Sequence, residues 1–213
     1  MYIINESDFN RDCMVTSKDG VSSDGTPSLL TQLIDGCSRL FFKNLLGYDL
    51  FKDLDSDIEN GVLKTTAQDK WKNLINGVEY TKSDVLLNWQ GIKYTEGAFT
   101  QSILRYFVYD GWLRETLSAS TSLGQVVIES KNAVNVGSSQ KIVTNWNKFV
   151  AMNQYKCNTP YARRSIVNGI EFIDWFGSST NDYVSVIKFI QDNPEDYPNA
   201  NCKFYEVQNQ FGL

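Results

Sequence analysis

The stretch Trp89 to Gly124, WQGIKYTEGAFTQSILRYFVYDGWLRETLSASTSLG, constrains this chain more than any other. Its middle, roughly 96–118, is the longest strongly apolar run. Phe99, Ile103, Tyr106, Phe107, Asp110, Leu113 and Leu117 recur there at helical spacing. Leu104, Val108, Tyr109 and Trp112 widen the apolar surface well beyond one stripe. A helix that is apolar nearly all round is enclosed by other elements. Arg105, Asp110, Arg114 and Glu115 exclude a membrane span, which needs about 20 mostly uncharged apolar residues. The run predicts a central helix with partners on most sides.

The remaining segments supply those partners. A helix is predicted over 28–46, capped by Ser28 and stopped by Gly47, with Leu29, Leu33, Cys37, Leu40, Phe41 and Leu45 on its inner face. A short second helix follows over 48–58. A third over 65–76 opens on the capping pair Thr65 and Gln68. At Val78 the period changes to alternation, and 78–95 reads as a hairpin insertion. Residues 120–137 read as extended and irregular, with a short strand at Val126–Ile128. A helix begins at Ser138 or Ser139 and runs to about Lys156. Thr159 and Pro160 form a helix start, predicting a helix over 160–176. A last helix spans 181–192 and stops at Asn193-Pro194. The tail carries Phe204, Tyr205, Val207, Phe211 and Leu213, which are costly to leave in water. The fold expected is mainly α: a helical bundle around the central apolar helix, with a small β-hairpin insertion and an extended C-terminal arm. Residues 1–27 form an N-terminal arm or loop, 28–196 the helical domain and 197–213 the C-terminal arm.

Chemistry is sparse. The 213 residues include no histidine, and the net charge is −5. That balance argues against a dedicated nucleic-acid binder, whose affinity rests on neutralising phosphates. Cys13, Cys37, Cys157 and Cys202 are widely separated and read as reduced and structural. The acidic run Asp53, Asp55, Asp57, Glu59 invites a calcium loop, but the required Gly and Glu fall on Ile58 and Lys64, or on Asn60 and Thr66. Arg163-Arg164 reads as a helix-start surface or subunit contact. No catalytic, cofactor-binding or metal-ligating residue is predicted. The profile favours an assembly component over an enzyme.

Three stretches bear a resemblance. The first is Leu74-Ile75-Asn76-Gly77-Val78-Glu79-Tyr80, then Trp89-Gln90-Gly91-Ile92-Lys93, then Arg105-Tyr106-Phe107. The second is Thr121 to Val127 followed by Lys141 to Asn147. The third is Phe189-Ile190, then Asp196-Tyr197-Pro198, then Asn209 to Leu213. In this order they resemble head–tail adaptor (connector) proteins of tailed bacteriophages, in particular the ring proteins of crAss-like phages. Gly111-Trp112 and Ile92 depart from the usual family pattern.

The resemblance implies a structural virion protein, assembled in the host cytoplasm and located in the neck. It implies a homo-oligomeric ring, generally of twelve subunits in that family, between the portal protein and the next ring or tail protein. DNA would pass through the lumen without specific binding, which the negative charge favours. It implies no membrane and no cofactor. A stopper or other tail-side ring is the near alternative; a soluble regulatory or nucleic-acid-handling module is the alternative from another class. Trp89, Tyr94, Tyr109, Trp112, Phe204, Tyr205, Phe211 and Leu213 are the interface candidates. Trp89 and Tyr94 are expected to set the insertion against a neighbour, and Tyr109 and Trp112 to be shared between core and subunit boundary.

Overall fold

An aromatic pair decides how the first helix sits. In the computed structural model, which describes residues 3–15, 27–82, 84–121, 124–127, 138–153, 163–167, 170–174 and 184–202, α1 spans Leu29–Leu46. The Ser28 hydroxyl accepts from the Thr31 N–H at 3.0 Å, and Gly47 ends the helix at φ 82°. The buried face is Leu30, Ile34, Ser38, Phe41, Phe42, Leu45 and Leu46. The expected face is therefore rotated: Leu29 is 44% exposed and Leu40 51%. The helix carries two overlapping apolar stripes. The one holding both Phe41 and Phe42 wins, because aromatic rings bury the larger area.

The central helix, α4, spans Ile103–Leu117 and packs on α1 and on α5, Ser138–Asn153. Phe41, Phe107, Phe149 and Trp146 form the aromatic seam of the three helices. At Gly111 the helix faces Cys37 of α1. A Cβ there would lie 3.2 Å from the Cys37 Sγ. Around this trio stand α2 (Tyr48–Ser56), α3 (Asp69–Asn76) and α6 (Val186–Asp192).

The expected helical bundle is not what forms; the fold is mixed α and β. The described residues contain five two-stranded antiparallel sheets: β1–β2 (Ile58–Glu59, Val62–Leu63), β3–β4 (Val78–Lys82, Val85–Trp89), β5–β6 (Lys93–Glu96, Phe99–Ser102), β7–β8 (Ser118–Thr121, Gly124–Val127) and β9–β10 (Arg163–Val167, Ile170–Asp174). Two of these lie where a helix was expected. Phe99–Ser102 pairs back on Lys93–Glu96, so the central helix starts later than its apolar run. The helix expected over 160–176 is replaced by β9–β10. Ile166, Ile170 and Ile173 fit a helical period. Yet Asn168-Gly169 between two β-branched runs is a strong hairpin signal, and it prevails.

Smaller corrections follow the same logic. The third helix begins at Asp69 and Gln68 makes no capping box. The Gln68 N–H instead donates to the Asp57 carboxylate at 3.1 Å. The last helix begins at Val186, where the Ser185 hydroxyl accepts from the Lys188 N–H at 3.2 Å. Its expected start over 181–183 lies outside the described residues, as does the tail over 203–213. The N-terminal segment is no loose arm over 3–15. Its two 3-10 turns, Glu6–Asp8 and Arg11–Cys13, carry Ile4, Phe9 and Cys13 into the core.

One crossing locks α3, both central hairpins and α4 together. The Leu74 carbonyl, left free near the end of α3, accepts from the Trp89 indole at 3.0 Å and the Ile92 N–H at 3.1 Å. The Ile92 carbonyl then accepts from the Ile103 N–H at 3.1 Å and the Ser102 hydroxyl at 2.8 Å, where α4 begins. Gly77 (φ 87°) and Gly91 (φ 98°) cross in contact. A Cβ on Gly77 would lie 2.5 Å from the Trp89 carbonyl oxygen, and one on Gly91 2.6 Å from the Gly77 nitrogen. Gly77→Ala and Gly91→Ala are each expected to cost more than about 2 kcal/mol, combining strained backbone with overlap. Gly36→Ala, whose Cβ meets nothing within 4 Å, should instead stabilise by about 0.5–1 kcal/mol. Urea unfolding of the three variants checks both signs.

Candidate functional site

Burying an arginine demands that its donors be satisfied from close by. Arg105, on the first turn of α4, is 1% exposed. Its guanidinium donates to the Asn10 side-chain oxygen at 3.0 Å, to the carbonyls of Asp8 (3.3 Å) and Asn10 (3.5 Å), and to Asp12 at 3.4 Å. The Asp12 carboxylate also accepts from the Tyr106 hydroxyl at 3.0 Å and from the Lys148 ammonium of α5 at 2.7 Å. Asn145 ties the same level of α5 to α4, donating to the Tyr106 carbonyl at 2.8 Å. At the other end of the segment Lys93 donates to the Ile3 carbonyl at 3.0 Å and to Asp8 at 3.1 Å. The result is a clasp. Cations of α4, α5 and β5 hold the N-terminal turns by their carbonyls and carboxylates.

The clasp sets the local titration. Burial pushes the Asp12 carboxyl up, but the hydrogen bond and charge of Lys148, then Arg105 and Tyr106, outweigh it and leave Asp12 below its ordinary value. Burial pushes the neighbouring Cys13 thiol up to about 12, so it is not a nucleophilic thiolate. Cys202 rises to about 11 for the same reason, and Cys37 rises through burial and the nearby Asp110 and Glu115. These three cysteines are free thiols; Cys157 lies outside the described residues. Asp110, buried in α4, is raised by burial, with Arg114 and Asn145 opposing.

The other motifs are used structurally. Within the acidic run, Asp53 pairs with Lys70 at 2.9 Å, Asp55 with Arg39 at 3.2 Å, and Asp57 accepts from the Gln68 N–H. The Gln68 side-chain amide also donates to Asp53 at 3.2 Å, so Gln68 joins Asp53 and Asp57. Among the described residues no group of three or more His, Cys, Asp or Glu is placed to hold a metal, and no helix is long and apolar enough to cross a membrane. A cleft of about 490 Å³ opens beside the N-terminal turn, floored by Ile3, Ile4 and Ile34. Its charged groups are engaged: Glu6 accepts from the Ser28 hydroxyl at 2.9 Å and from Thr31, and Lys93 belongs to the clasp.

The interface candidates fall mostly inside the protomer. Trp89 is 1% exposed, stacked on Phe189 at 5.4 Å, and Tyr94 is buried. Their surface is spent in the core of their own chain, leaving no face for a neighbour. Tyr109 is likewise 1% exposed and stacks on Trp112 at 5.6 Å. Trp112 alone among the described candidates keeps exposed surface, being half-buried. Phe204, Tyr205, Phe211 and Leu213 lie outside the described residues. The large apolar residues that reach solvent are others: Met14 in the N-terminal segment, Leu29 and Leu40 on α1, Tyr48 at the start of α2, Val62, Leu86 and Phe99 on hairpins, and Val143 on α5. The width of the apolar surface of α1 was the signal for the two on that helix, since a helix facing one core needs only one stripe.

No family model, curated protein or solved structure matches the chain.

The clasp makes stability pH-dependent. The folded pKa of Asp12 lies below its unfolded value, so the folded state binds fewer protons there. Its contribution is present above about pH 4 and is lost as pH falls through the folded value. Thermal unfolding between pH 7 and pH 3 should show this loss, and Asp12→Asn should remove part of the drop. Arg105→Ala should cost about 3 kcal/mol, because it empties buried space and strands the Asp8 and Asn10 carbonyls. Hydrogen exchange should show residues 3–15 losing protection first.

Proposed function

We propose that this chain is a structural component of a tailed-phage neck, a connector ring between portal and tail. What carries the reading is how the three resembling stretches lie relative to one another. They are far apart in sequence, yet they interlock. The Trp89 indole and Ile92 N–H both donate to the Leu74 carbonyl, uniting the parts of the first stretch. Phe189 of the third stretch stacks on Trp89. Tyr197 of the third stretch packs on Trp71 at 5.9 Å and donates its hydroxyl to the Lys70 carbonyl at 2.5 Å, both on α3 just before the first stretch begins. Asn145, in the second, donates to the Tyr106 carbonyl of the first. The ordered resemblance is to neck-ring adaptors, and the mutual packing of its stretches is what supports the reading. The exposed leucines on α1 suit a protein that is finished by assembly.

A ring of copies uses a head-to-tail contact, in which one surface of each subunit meets a different surface of the next. The apolar segment 203–213 is the natural second surface. Electron microscopy of virions carrying this chain should show it as a ring at the head–tail junction, with a central channel. Deleting residues 202–213 should abolish the ring while far-UV circular dichroism stays that of the full chain. Normal assembly without those residues removes the arm from the reading. Absence of the chain from the neck overturns the reading, and a steeply salt-dependent DNA affinity would favour a nucleic-acid-handling role.

A further inference from the structure

A second cleft, of about 410 Å³, lies against the β1–β2 hairpin. It shares Ile3, Gly61, Val62 and Lys93 with the cleft beside the N-terminal turn and continues from it to the end of α3. Its walls are residues 61–65, then Lys72, Ile75 and Asn76 of α3, with Ile3 and Lys93. Part of this wall is apolar. Ile3 and Ile75 are buried, Leu63 is half-buried and Val62 stays 67% exposed. Ile3 holds φ 130°, a costly conformation for a branched residue, and Lys93 pins its carbonyl at 3.0 Å. The wall is thereby held in place before any ligand arrives.

The rest of the wall is cationic. It carries Lys64, Lys72 and Lys93 and no carboxylate. All three lysines are half-buried, in a chain whose net charge is −5. Lys93 is spent on the clasp. Lys72 pairs with Asp69 at 3.1 Å, but the Asp69 side chain is 89% exposed, and such a pair is weak. Lys64 donates to the Ser56 carbonyl at 2.7 Å and meets no carboxylate among the described residues. An ammonium has three donors, so Lys64 and Lys72 each keep two. The nearby acids do not fill them: Asp57 accepts from the Gln68 N–H at 3.1 Å, and Glu59, opposite Val62 on the hairpin, is exposed.

These two halves select a ligand. A neutral apolar molecule would cover the lysines without pairing their donors. A bare inorganic anion would leave Val62 and Leu63 in water. The volume is that of a small-molecule site. We propose that this cleft binds a small organic anion with an apolar body. Its acid group sits on Lys64 and Lys72, and its body lies on Ile3, Val62, Leu63 and Ile75. The site is independent of the neck reading.

Sodium octanoate titrated into the nitrogen-15-labelled full chain, followed by amide chemical shifts, tests this. Saturable shifts are expected over residues 61–65 and 72–76. Acetate, which has the acid group without the body, and octanol, which has the body without the charge, should each bind at least about tenfold more weakly. Lys64→Gln and Lys72→Gln should each weaken octanoate about tenfold, the loss of one charge-assisted hydrogen bond, while Lys64→Arg keeps most of the affinity. Val62→Glu, at an exposed position, adds a like charge to the wall and should weaken octanoate without touching the core. Lys52→Gln, exposed on α2 and outside the cleft, should change nothing. Thermal melts matching the unaltered chain show that the variants fold. Absence of saturation, shifts confined to other parts of the chain, or equal binding of octanol or acetate overturns the proposal. Hexaglutamate binding more tightly than octanoate at the same residues overturns it in favour of an acidic-peptide site.

Discussion

The Leu74 carbonyl is the point on which the arrangement of this protein turns. A helix ends with carbonyls that have no partner inside it, and something must satisfy them. Here the Trp89 indole and the Ile92 N–H do so together. Those two bonds fix where β4 ends against α3, and Ile92 passes the constraint to Ser102 and Ile103. The start of α4 is thereby set relative to α3. The crossing works only because Gly77 and Gly91 have no side chains. Trp89 then has its indole satisfied and its ring free to stack on Phe189. An aromatic group that looks like a binding anchor is in fact an internal one.

From that junction the polar interior follows. With its first turn fixed, α4 brings Arg105 under the N-terminal turns, where a buried cation needs several acceptors. Backbone carbonyls of Asp8 and Asn10 supply part of the set, and Asp12 the countercharge. Lys148 approaches the same carboxylate from α5. The clasp thus draws the segment over 3–15, α4, α5 and β5 into one unit. It has structural rather than chemical consequences: the neighbouring Cys13 stays protonated and Asp12 is occupied by cations. Asp110 carries the opposite pH sign, since burial raises it and the folded state takes up its proton earlier than the unfolded chain.

Where one side chain or one dipeptide sufficed, the reading from residues held. Ser28 and Gly47 bound α1, Val78 opens β3, and Ser138 starts α5 with Ile142, Phe149 and Val150 inward. Where two patterns overlapped, it did not. The apolar run over 96–118 reads as one helix, but Gly97 at φ 60° lets Phe99–Ser102 fold back as a strand. Ile166, Ile170 and Ile173 suit a helix until Asn168-Gly169 is weighed between them. The N-terminal segment looks polar and loose because its anchors, Ile4, Phe9 and Cys13, are few and its carbonyls are not visible in a sequence.

The same division holds for the apolar surfaces. Sequence alone determined which residues are too apolar to leave in water: the central run, the leucines of α1, and the tail from Phe204 to Leu213. It determined the absence of histidine and the acidic balance. Only the tertiary structure decided which of those apolar groups are used up inside. Trp89, Tyr94 and Tyr109 went to the core, while Leu29 and Leu40 stayed outside. The physical reason is that hydrophobicity has magnitude but no direction. Direction came from hydrogen bonds and close backbone contacts, at Leu74, Gly77, Gly91 and Arg105, that join residues distant in the chain.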